Sequence, residues 1–337
     1  MTRTGSTTVG QGRGRRPQGS LLLGALTAFS LCLPMAAQAQ LASGLAGSVG
    51  STVGPDGALY VPESAVGRIT RIDPQTGAKS TFAEGLPATL PGVPFGGAVD
   101  VAFHGGTAYA LVTMVDAFFG GTDVVGIYRI DGPGSATPIA DIGSFTIANP
   151  SPTDWFIPSG VQYAMEPWRG GFLVTDGHHN RVLRVTLDGE VSEFRGFDNI
   201  VPTGLEVVGK TVYMARMGEV PHPAQEGQVV AFGPKSASGM LVAAGAPMLV
   251  DVERGRGQTM FALSQGTWDG AFPGSPANPG EGSLVRVNGD GSFSVVADGL
   301  NLPSSFEIIG NTAYVVTLTG EVWAIEDMAG PPFGKAR

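Results

Sequence analysis

The chain repeats one short pattern, in which a polar, glycine-rich turn leads into an alternating apolar run. The first copy is Gly54 to Val61, where a Pro-Asp-Gly turn precedes Ala-Leu-Tyr-Val. Such a turn predicts a hairpin that feeds a half-buried strand. An aromatic residue marks the same place in every copy: Tyr60, Tyr109, Phe172, Tyr213, Phe261 and Tyr314. These anchors lie 41 to 63 residues apart, which is typical of β-propeller blades, so the pattern predicts six blades.

Each repeat is predicted to contain four antiparallel strands, named A to D from the axis outward. In the second repeat they cover 98–103, 108–113, 124–130 and 136–142. Short polar turns, such as Asn288 to Gly291, follow the C strands. That turn could also be a calcium loop, but it lacks the further carboxylates and the distal glutamate of such a loop. Asx-Gly is typical of hairpins, so we predict a turn.

The last repeat contains strands A to C and then stops, at about residue 325. Leu41 to Leu45 resembles the ends of the D strands in other repeats, so we predict that the N-terminal strand completes the last blade. Pairing of the two chain ends also protects strand edges that would otherwise be exposed. The predicted fold class is all-β, a six-bladed β-propeller of four-stranded antiparallel blades closed by the N-terminal strand.

The first 39 residues have the pattern of an export signal. Four arginines lie within the first 16 residues, residues 21–33 are apolar, and Ala37-Gln38-Ala39 matches a small-residue cleavage site. We therefore expect a signal peptide over 1–39, a propeller over 40–328 and a C-terminal tail over 329–337, with a secreted or periplasmic location. A membrane anchor is the disfavoured alternative, because the apolar run is too short. Arg15-Arg16 leaves twin-arginine export open beside the general secretory route.

Charge excludes two classes of partner. Removing 1–39 takes away four of the 20 basic residues and none of the 29 acidic ones, which changes the formal net charge from −9 to −13. Such a chain does not bind nucleic acid or, once the signal is cleaved, an anionic membrane. The same cleavage removes Cys32, the only cysteine, so no disulfide is expected. We expect a monomer.

Long connections are predicted to gather on one face of the ring, which we call the long-loop face. B–C and D–A connections share one side of a four-stranded meander, and the long ones here are 86–97, 114–123, 143–159, 216–227 and 265–282. Insertions on one side are typical of a binding face. We predict that it binds a small molecule, glycan or protein, and Phe156 is one of its exposed aromatics. The other predicted binding residues are Phe118, Phe119, Trp155, Asp176, His179, His222, Trp268 and Phe272. Alternatively, these loops fold over the ring and bury their aromatics locally.

A set of polar residues recurs near the start of strand A, which lines the axis of a propeller. Its members are Thr52, Asp100, Gln162, Glu206, Asp251 and Glu307. The four acidic members are candidate catalytic residues that could ring a channel, bind a cation or supply a general base of raised pKa. The alternative is that they bond to backbone and water, as buried polar groups must.

His178 and His179 are weaker catalytic candidates that could act from the rim. On a strand the two side chains would point to opposite faces. In a loop they could meet, but no nearby cluster of ligands completes a zinc site. After residue 39 the chain also has no serine-elbow, zinc-protease, P-loop or dinucleotide-binding motif.

Three segments, Gly54 to Val61, Gly67 to Asp73 and Phe82 to Leu86, resemble the secreted propeller family of the scytonemin gene cluster (ScyD/ScyE). Weaker echoes cover nearly all of the chain after residue 39. The chain also resembles the wider NHL-type and gluconolactonase-type propellers, and Thr175 to Val182 is similar to part of an NHL repeat. The resemblance implies a six-bladed propeller, while the scytonemin-cluster family supplies no catalytic motif.

The gluconolactonase-type resemblance also implies a test for an enzyme. In those enzymes Glu, Asn and Asp residues at the start of strand A hold a calcium ion. The matching segments here are Gly96-Gly97-Ala98, Pro158-Ser159-Gly160, Pro202-Thr203-Gly204 and Pro303-Ser304-Ser305. Hydroxyl groups are poor calcium ligands, so we predict no cofactor and leave calcium as an alternative. We predict a binding or interaction protein rather than an enzyme. The alternative is a hydrolase or lactonase-like enzyme that uses the acidic channel residues, with or without a divalent metal.

Overall fold

The computed structural model describes Gly5 and residues 37–220, 222, 225–236 and 239–328. The predicted signal peptide and C-terminal tail lie almost wholly outside these residues. The described residues form six four-stranded antiparallel sheets arranged as propeller blades, together with one α-helix. The predicted fold class is therefore confirmed.

In every blade, consecutive strands pair with each other from the axis outward. The N-terminal strand is β1 (Gln38–Ala42). Blades one to three consist of β2 (Thr52–Val53), β3 (Leu59–Glu63), β4 (Arg68–Ile72), β5 (Lys79–Ala83); β6 (Gly97–His104), β7 (Thr107–Thr113), β8 (Gly126–Gly132), β9 (Ser135–Asp141); and β10 (Gln162–Pro167), β11 (Gly171–Asp176), β12 (Arg181–Thr186), β13 (Val191–Gly196). Blades four to six consist of β14 (Pro202–Val208), β15 (Thr211–Arg216), β16 (Gly227–Phe232), β17 (Met240–Ala246); β18 (Leu249–Arg254), β19 (Met260–Ser264), β20 (Gly282–Val287), β21 (Phe293–Leu300); and β22 (Pro303–Ile309), β23 (Thr312–Thr317), β24 (Val322–Ile325).

The two ends of the chain meet in the sixth blade, as predicted. Strand β1 pairs with β24, with Gln40 opposite Trp323 and Ala42 opposite Val322. The sheet order is β1, β24, β23, β22, so the N-terminal strand takes the outermost position. Strand β2 contacts both β6 and β22, which closes the ring of innermost strands and places blades three and six opposite each other.

Apolar side chains between neighbouring blades form the core. The anchors Phe172 and Phe261 are fully buried. Tyr60 packs edge-on against Phe82 of its own blade and Phe103 of the next, with both ring centroids 4.9 Å away. Full burial of such a ring contributes about 1.5–3 kcal/mol, so the repeated aromatic is the residue that joins one blade to the next.

Five of the six innermost strands contain a register shift near their start. In β6 the shift lies between Ala98 and Asp100, and β10, β14, β18 and β22 have shifts at corresponding places. An inserted residue changes which side chains of a strand point to a given face. The shifts therefore decide which residues reach the axis.

Two connections complete the fold. The D–A connection after β9 begins with helix α1 (Ile142–Ala148), which the sequence analysis did not predict and which Asp141 caps by accepting a hydrogen bond from Ser144 N at 2.8 Å. The turn after β20 is a hairpin, as predicted, because Asp290 Oδ1 accepts hydrogen bonds from both the amide and the hydroxyl of Ser292. Among the described residues, no helix is long and apolar enough to cross a membrane.

Candidate functional site

The innermost strands enclose a small polar cavity on the axis of the ring. Its volume is about 40 Å³, which is room for a few water molecules. Five acidic residues line it: Asp100, Asp251, Glu253 and Glu307, together with Glu166 of blade three. Small-molecule sites usually measure about 300–1,000 Å³, so a sugar or a lactone does not fit in this cavity.

Asp100 and Asp251 occupy equivalent places three blades apart. Asp100 Oδ1 accepts a hydrogen bond from Val101 N at 2.8 Å, and its Oδ2 accepts one from Met165 N of the next blade at 2.7 Å. Asp251 repeats the arrangement with Val252 N and Phe306 N, both at 2.9 Å. Each carboxylate therefore links two neighbouring innermost strands, which matches the expected alternative role of bonding to the backbone.

Glycines leave the space that these two carboxylates fill. A Cβ added at Gly50 would lie less than 3.0 Å from Asp100 Oδ1, and one added at Gly204 would be equally close to Asp251 Oδ1. Each glycine belongs to the blade before the aspartate. Each aspartate packs against a glycine of the preceding blade and accepts a hydrogen bond from a backbone amide of the following blade. It therefore connects three consecutive blades.

The glutamates form a second level of the channel. Three glutamates lie opposite the aromatic anchors of their blades in the strand pairing: Glu206, Glu253 and Glu307. The two aspartates lie opposite leucines that come two residues after the anchor in the sequence, with Asp100 opposite Leu111 and Asp251 opposite Leu263. The sequence predicts a single set of acidic residues, and the strand pairing divides that set into two levels. Their positions along the strands differ: Glu206 stands four residues after Pro202, the first paired residue of β14, whereas Asp251 stands two residues after Leu249, the first paired residue of β18.

Burial raises the pKa of every carboxyl group in the channel. The pKa of Asp251 and that of Glu206 rise to about 7, mainly through burial, although Arg254 partly offsets the effect on Glu206. The pKa values of Glu253 and Glu307 are well above the ordinary range because of burial and of the neighbouring acids. At neutral pH these groups can share protons, and Asp251 and Glu206 have the pKa expected of a general acid or base.

Glu166, Glu253 and Tyr163 are channel residues that the sequence analysis missed. Glu253 stands two residues after Asp251 on the same strand, so the alternation of side chains could have identified it. Tyr163 lies in the shifted part of β10, and its hydroxyl donates to Ser304 O at 2.8 Å. Because these residues belong to opposite blades, Tyr163 crosses the axis of the ring.

The segments that match the calcium ligands of gluconolactonase-type enzymes do not fit that ion. Thr203 Oγ1 lies 3.0 Å from the carbonyl oxygens of both Ala215 and Leu249, and Ser304 Oγ donates to Val316 O at 3.3 Å. These hydroxyl groups are occupied by backbone carbonyls. Within the described part of the chain, no group of three or more His, Cys, Asp and Glu side chains is placed to hold a metal ion.

The candidate Gln162 also has a structural role. Its Oε1 accepts a hydrogen bond from Thr113 Oγ1 at 2.8 Å, and its Nε2 donates to Ser159 O at 3.0 Å. These bonds connect blade two to blade three at the start of strand A. Thr52, the remaining member of the predicted set, lines the cavity.

His178 and His179 lie in the turn between β11 and β12, where both rings hold the loop before blade three. His178 Nε2 accepts hydrogen bonds from Phe156 N at 2.8 Å and Ile157 N at 3.0 Å. His179 Nδ1 accepts one from Ser151 N at 3.3 Å. Burial lowers the pKa of His178 to about 4, so its ring is neutral and can accept both bonds.

Asp176 is buried beside this pair rather than exposed for binding. Its Oδ2 lies 3.3 Å from Arg181 Nε, and the side chains of both residues are almost completely buried. Arg181 Nη1 also donates to Asn149 O at 2.7 Å. The ion pair thus anchors the same connection that the histidines hold.

The predicted binding face is only partly exposed. Phe118, Trp155, Phe156 and Phe272 have 54%, 38%, 60% and 47% of their surface exposed. His222 is buried, and Trp268 packs edge-on against it with the ring centroids 5.7 Å apart. Phe119 packs against Phe118 in the same manner at 5.0 Å. The long-loop face therefore combines exposed aromatic rings with aromatic residues that support its loops.

Comparison with known proteins identifies the fold but no family. No family model and no curated protein sequence match the chain. Similar solved structures include a virginiamycin B lyase from Staphylococcus aureus, with 12% identity, a TM-score of 0.53 and coverage of 86% of this chain and 98% of that one.

Two further structures are similar. A PQQ-bound aldose sugar dehydrogenase from Streptomyces coelicolor shares 14% identity, with a TM-score of 0.57 and coverage of 87% and 99%. A gluconolactonase from Xanthomonas campestris shares 13% identity, with a TM-score of 0.58 and coverage of 86% and 89%. At these identities the likeness shows the β-propeller fold alone. The resemblance to the scytonemin-cluster family stays a prediction.

Proposed function

We propose that this protein is an exported binding protein that holds a neutral glycan on its long-loop face. The observation that carries the proposal is the exposure of four large aromatic side chains, Phe118, Trp155, Phe156 and Phe272, on three loops of one face. Phe118, Trp155 and Phe156 stand on consecutive loops of blades two and three, and Phe272 stands on a loop of blade five. Apolar groups exposed on one surface are typical of interaction sites. Flat aromatic rings beside polar loop atoms suit the apolar faces and hydroxyl groups of sugar rings.

These loops are held in place before any ligand binds. His178 and His179 fix the loop that carries Trp155 and Phe156. In the loop that carries Phe272, Trp268 Nε1 donates to Ser275 Oγ at 2.7 Å, and Ser275 in turn bonds Asp269. A surface that is ordered in advance loses less conformational entropy on binding, which favours affinity.

Two further observations support a neutral glycan. The axial cavity of about 40 Å³ is too small for a sugar, so a sugar ligand would bind on the face rather than in the channel. The net charge of −9 disfavours anionic ligands on most of the surface. Similar structures include proteins described as an aldose sugar dehydrogenase and as a gluconolactonase of glucose metabolism.

The test is to screen the purified protein against immobilised neutral and acidic glycans, and then to measure affinity by calorimetry. Phe118→Ala and Phe272→Ala should each weaken binding of a neutral glycan by about tenfold or more. Leu241→Ala is the matched control, because this side chain is 56% exposed on the outer strand β17. Failure to bind any glycan, or equal losses in all three variants, would refute the proposal. Capture of a protein instead of a glycan would also refute it.

A hydrolase or lactonase-like activity is the second candidate, and the pKa values near 7 of Asp251 and Glu206 favour it. A substrate would need Tyr163 to move away from the axis, since the cavity is otherwise too small. Hydrolysis of lactones and esters should then fall on Asp251→Asn, and its rate should change with a midpoint near pH 7. The absence of turnover in both the native protein and Tyr163→Ala would eliminate this candidate.

A further inference from the structure

A groove of about 310 Å³ lies between blades three and four, on the face of the short A–B and C–D turns. It is opposite the long-loop face and is several times larger than the axial cavity. Trp168, Arg169, Arg184 and Phe194 line it from blade three, and Pro234 lines it from blade four. Its volume is within the range of small-molecule sites. We propose that this groove binds a small aromatic carboxylate.

The turn between β10 and β11 places the first positive charge. Trp168 and Gly171 exchange two backbone hydrogen bonds, at 2.8 and 3.0 Å. The two residues between them have positive φ, 42° at Arg169 and 76° at Gly170, as in the tightest hairpin turns. Asn, Asp or Gly is usual at the first of these positions, and a larger side chain there strains the backbone. The sequence nevertheless places an arginine there.

This arginine stacks on the indole of the residue before it. The guanidinium carbon of Arg169 lies 4.8 Å from the ring centroid of Trp168. A guanidinium held over an aromatic face keeps N–H groups that can donate two hydrogen bonds to one carboxylate. The contact therefore prepares the arginine for an anionic ligand.

Arg184 provides a second positive charge without a partner. It is exposed on β12, where it pairs with Ser192 of β13. Within the described residues, neither Arg184 nor Arg169 forms an ion pair, whereas Arg129 pairs with Asp131 at 2.6 Å. One acidic residue, Glu193, also lines the groove, and its charge is partly balanced by Arg181, with 3.7 Å between Glu193 Oε2 and Arg181 Nη1. The groove is thus a positive site in an acidic protein.

Aromatic rings form the apolar part of the groove. Trp168 is 3% exposed, and Phe194 packs edge-on against it with the centroids 5.9 Å apart. Phe194 also contacts Phe232 of blade four, at 6.2 Å. Pro234 forms the opposing wall. Because Trp168 is almost completely buried, it supports Phe194 and Arg169 from below, and a flat ligand ring would contact Phe194 and Pro234 while its carboxylate reaches the arginines.

The experiment is a calorimetric titration of the full chain with 2-naphthoate, repeated with the neutral isostere 2-naphthamide. We expect naphthoate to bind about tenfold or more tightly than the amide. Arg184→Gln should weaken the binding of naphthoate by about tenfold. The control Arg129→Gln removes the same charge elsewhere on the surface and should weaken this binding by less than about twofold. Arg169→Asn is a second variant, since asparagine tolerates a positive φ and keeps the turn.

Equal affinity for the acid and the amide would overturn the proposal, because the arginines would then contribute nothing. Equal losses in Arg184→Gln and Arg129→Gln would also overturn it, since they would indicate attraction by overall charge. The absence of naphthoate binding at millimolar concentration would overturn the proposal as well. Phe118→Ala on the long-loop face should leave naphthoate binding unchanged, so this result is independent of the glycan proposal.

Discussion

His178→Gln should change how the stability of the protein depends on pH. His178 Nε2 accepts hydrogen bonds from Phe156 N and Ile157 N, and a ring nitrogen can do so only without a proton. Burial lowers the pKa of His178 from 6.5 to about 4, and the nearby His179 adds a smaller effect. As the pH falls, His178 therefore gains its proton at a higher pH in the unfolded chain than in the folded protein.

The size of the effect follows from these two pKa values. The folded state binds fewer protons below pH 6.5, so the stabilisation is complete above that pH and is lost as the pH falls towards 4. The difference between the two pKa values corresponds to a loss of unfolding free energy of at most about 3 kcal/mol, and of about 2 kcal/mol at pH 5. Partial exposure of the ring reduces both values. For a chain of this size, about 2 kcal/mol lowers Tm by about 4–8 °C.

The assay compares thermal unfolding of the native protein, His178→Gln and the control His104→Gln at pH 8 and pH 5. The channel carboxyl groups titrate in all three proteins, so their contribution cancels in the difference. The native protein and the control should lose about 2 kcal/mol more than His178→Gln between the two pH values. The reasoning is refuted if the native protein and His178→Gln lose the same stability and the protection factors of the Phe156 and Ile157 amides, which correct for the intrinsic exchange rate, do not fall at pH 5.

Three further substitutions test the channel and its surroundings by urea unfolding. Gly204→Ala should lower the free energy of unfolding by about 1–3 kcal/mol, because the new methyl group meets the Asp251 carboxylate. The control Gly289→Ala adds a methyl group in open space and should lower it by less than about 0.5 kcal/mol. Similar losses in the two variants would contradict the packing argument. Glu307→Gln should be more stable than the native protein at pH 8 but not at pH 4, because a raised folded-state pKa means that stability is lost as the pH rises; a less stable variant at pH 8 would contradict this. Arg181→Met should cost about 3–5 kcal/mol, because it leaves a buried carboxylate unpaired, and a loss below about 1 kcal/mol would show that the carboxyl is neutralised by protonation.

The fold could be predicted because its signals are local. The turn that precedes Tyr60, and its equivalents, determine where each hairpin begins, and one aromatic per repeat fixes the number of blades. Closure was also predictable, since the missing D strand after Ile325 and the spare strand near Leu41 are both visible in the sequence. Each inference needs only a few neighbouring residues.

The site was predicted less completely, because its geometry depends on distant residues. Asp251 stands two residues after the first paired residue of its strand and Glu206 stands four after that of its own, and the sequence alone does not show which residues of the two strands correspond. The position of Tyr163 in the channel follows from its hydrogen bond to Ser304, which lies in the opposite blade and is distant in the sequence. The two histidines likewise contact a loop more than twenty residues earlier in the chain, so their role as loop supports could not be inferred from their own surroundings.

Closure of the ring by β1 constrains the order in which the protein can fold. The partner of Gln40 is Trp323, so β1 can pair only when nearly all of the propeller has been synthesised. Bringing such distant segments together from a fully unfolded chain costs about 5 kcal/mol in loop entropy, so the intervening blades should assemble first and bring the ends together. A chain truncated before Val322 would not form a smaller ring of five blades. It would remain open, with strand edges available to pair with other chains and aggregate.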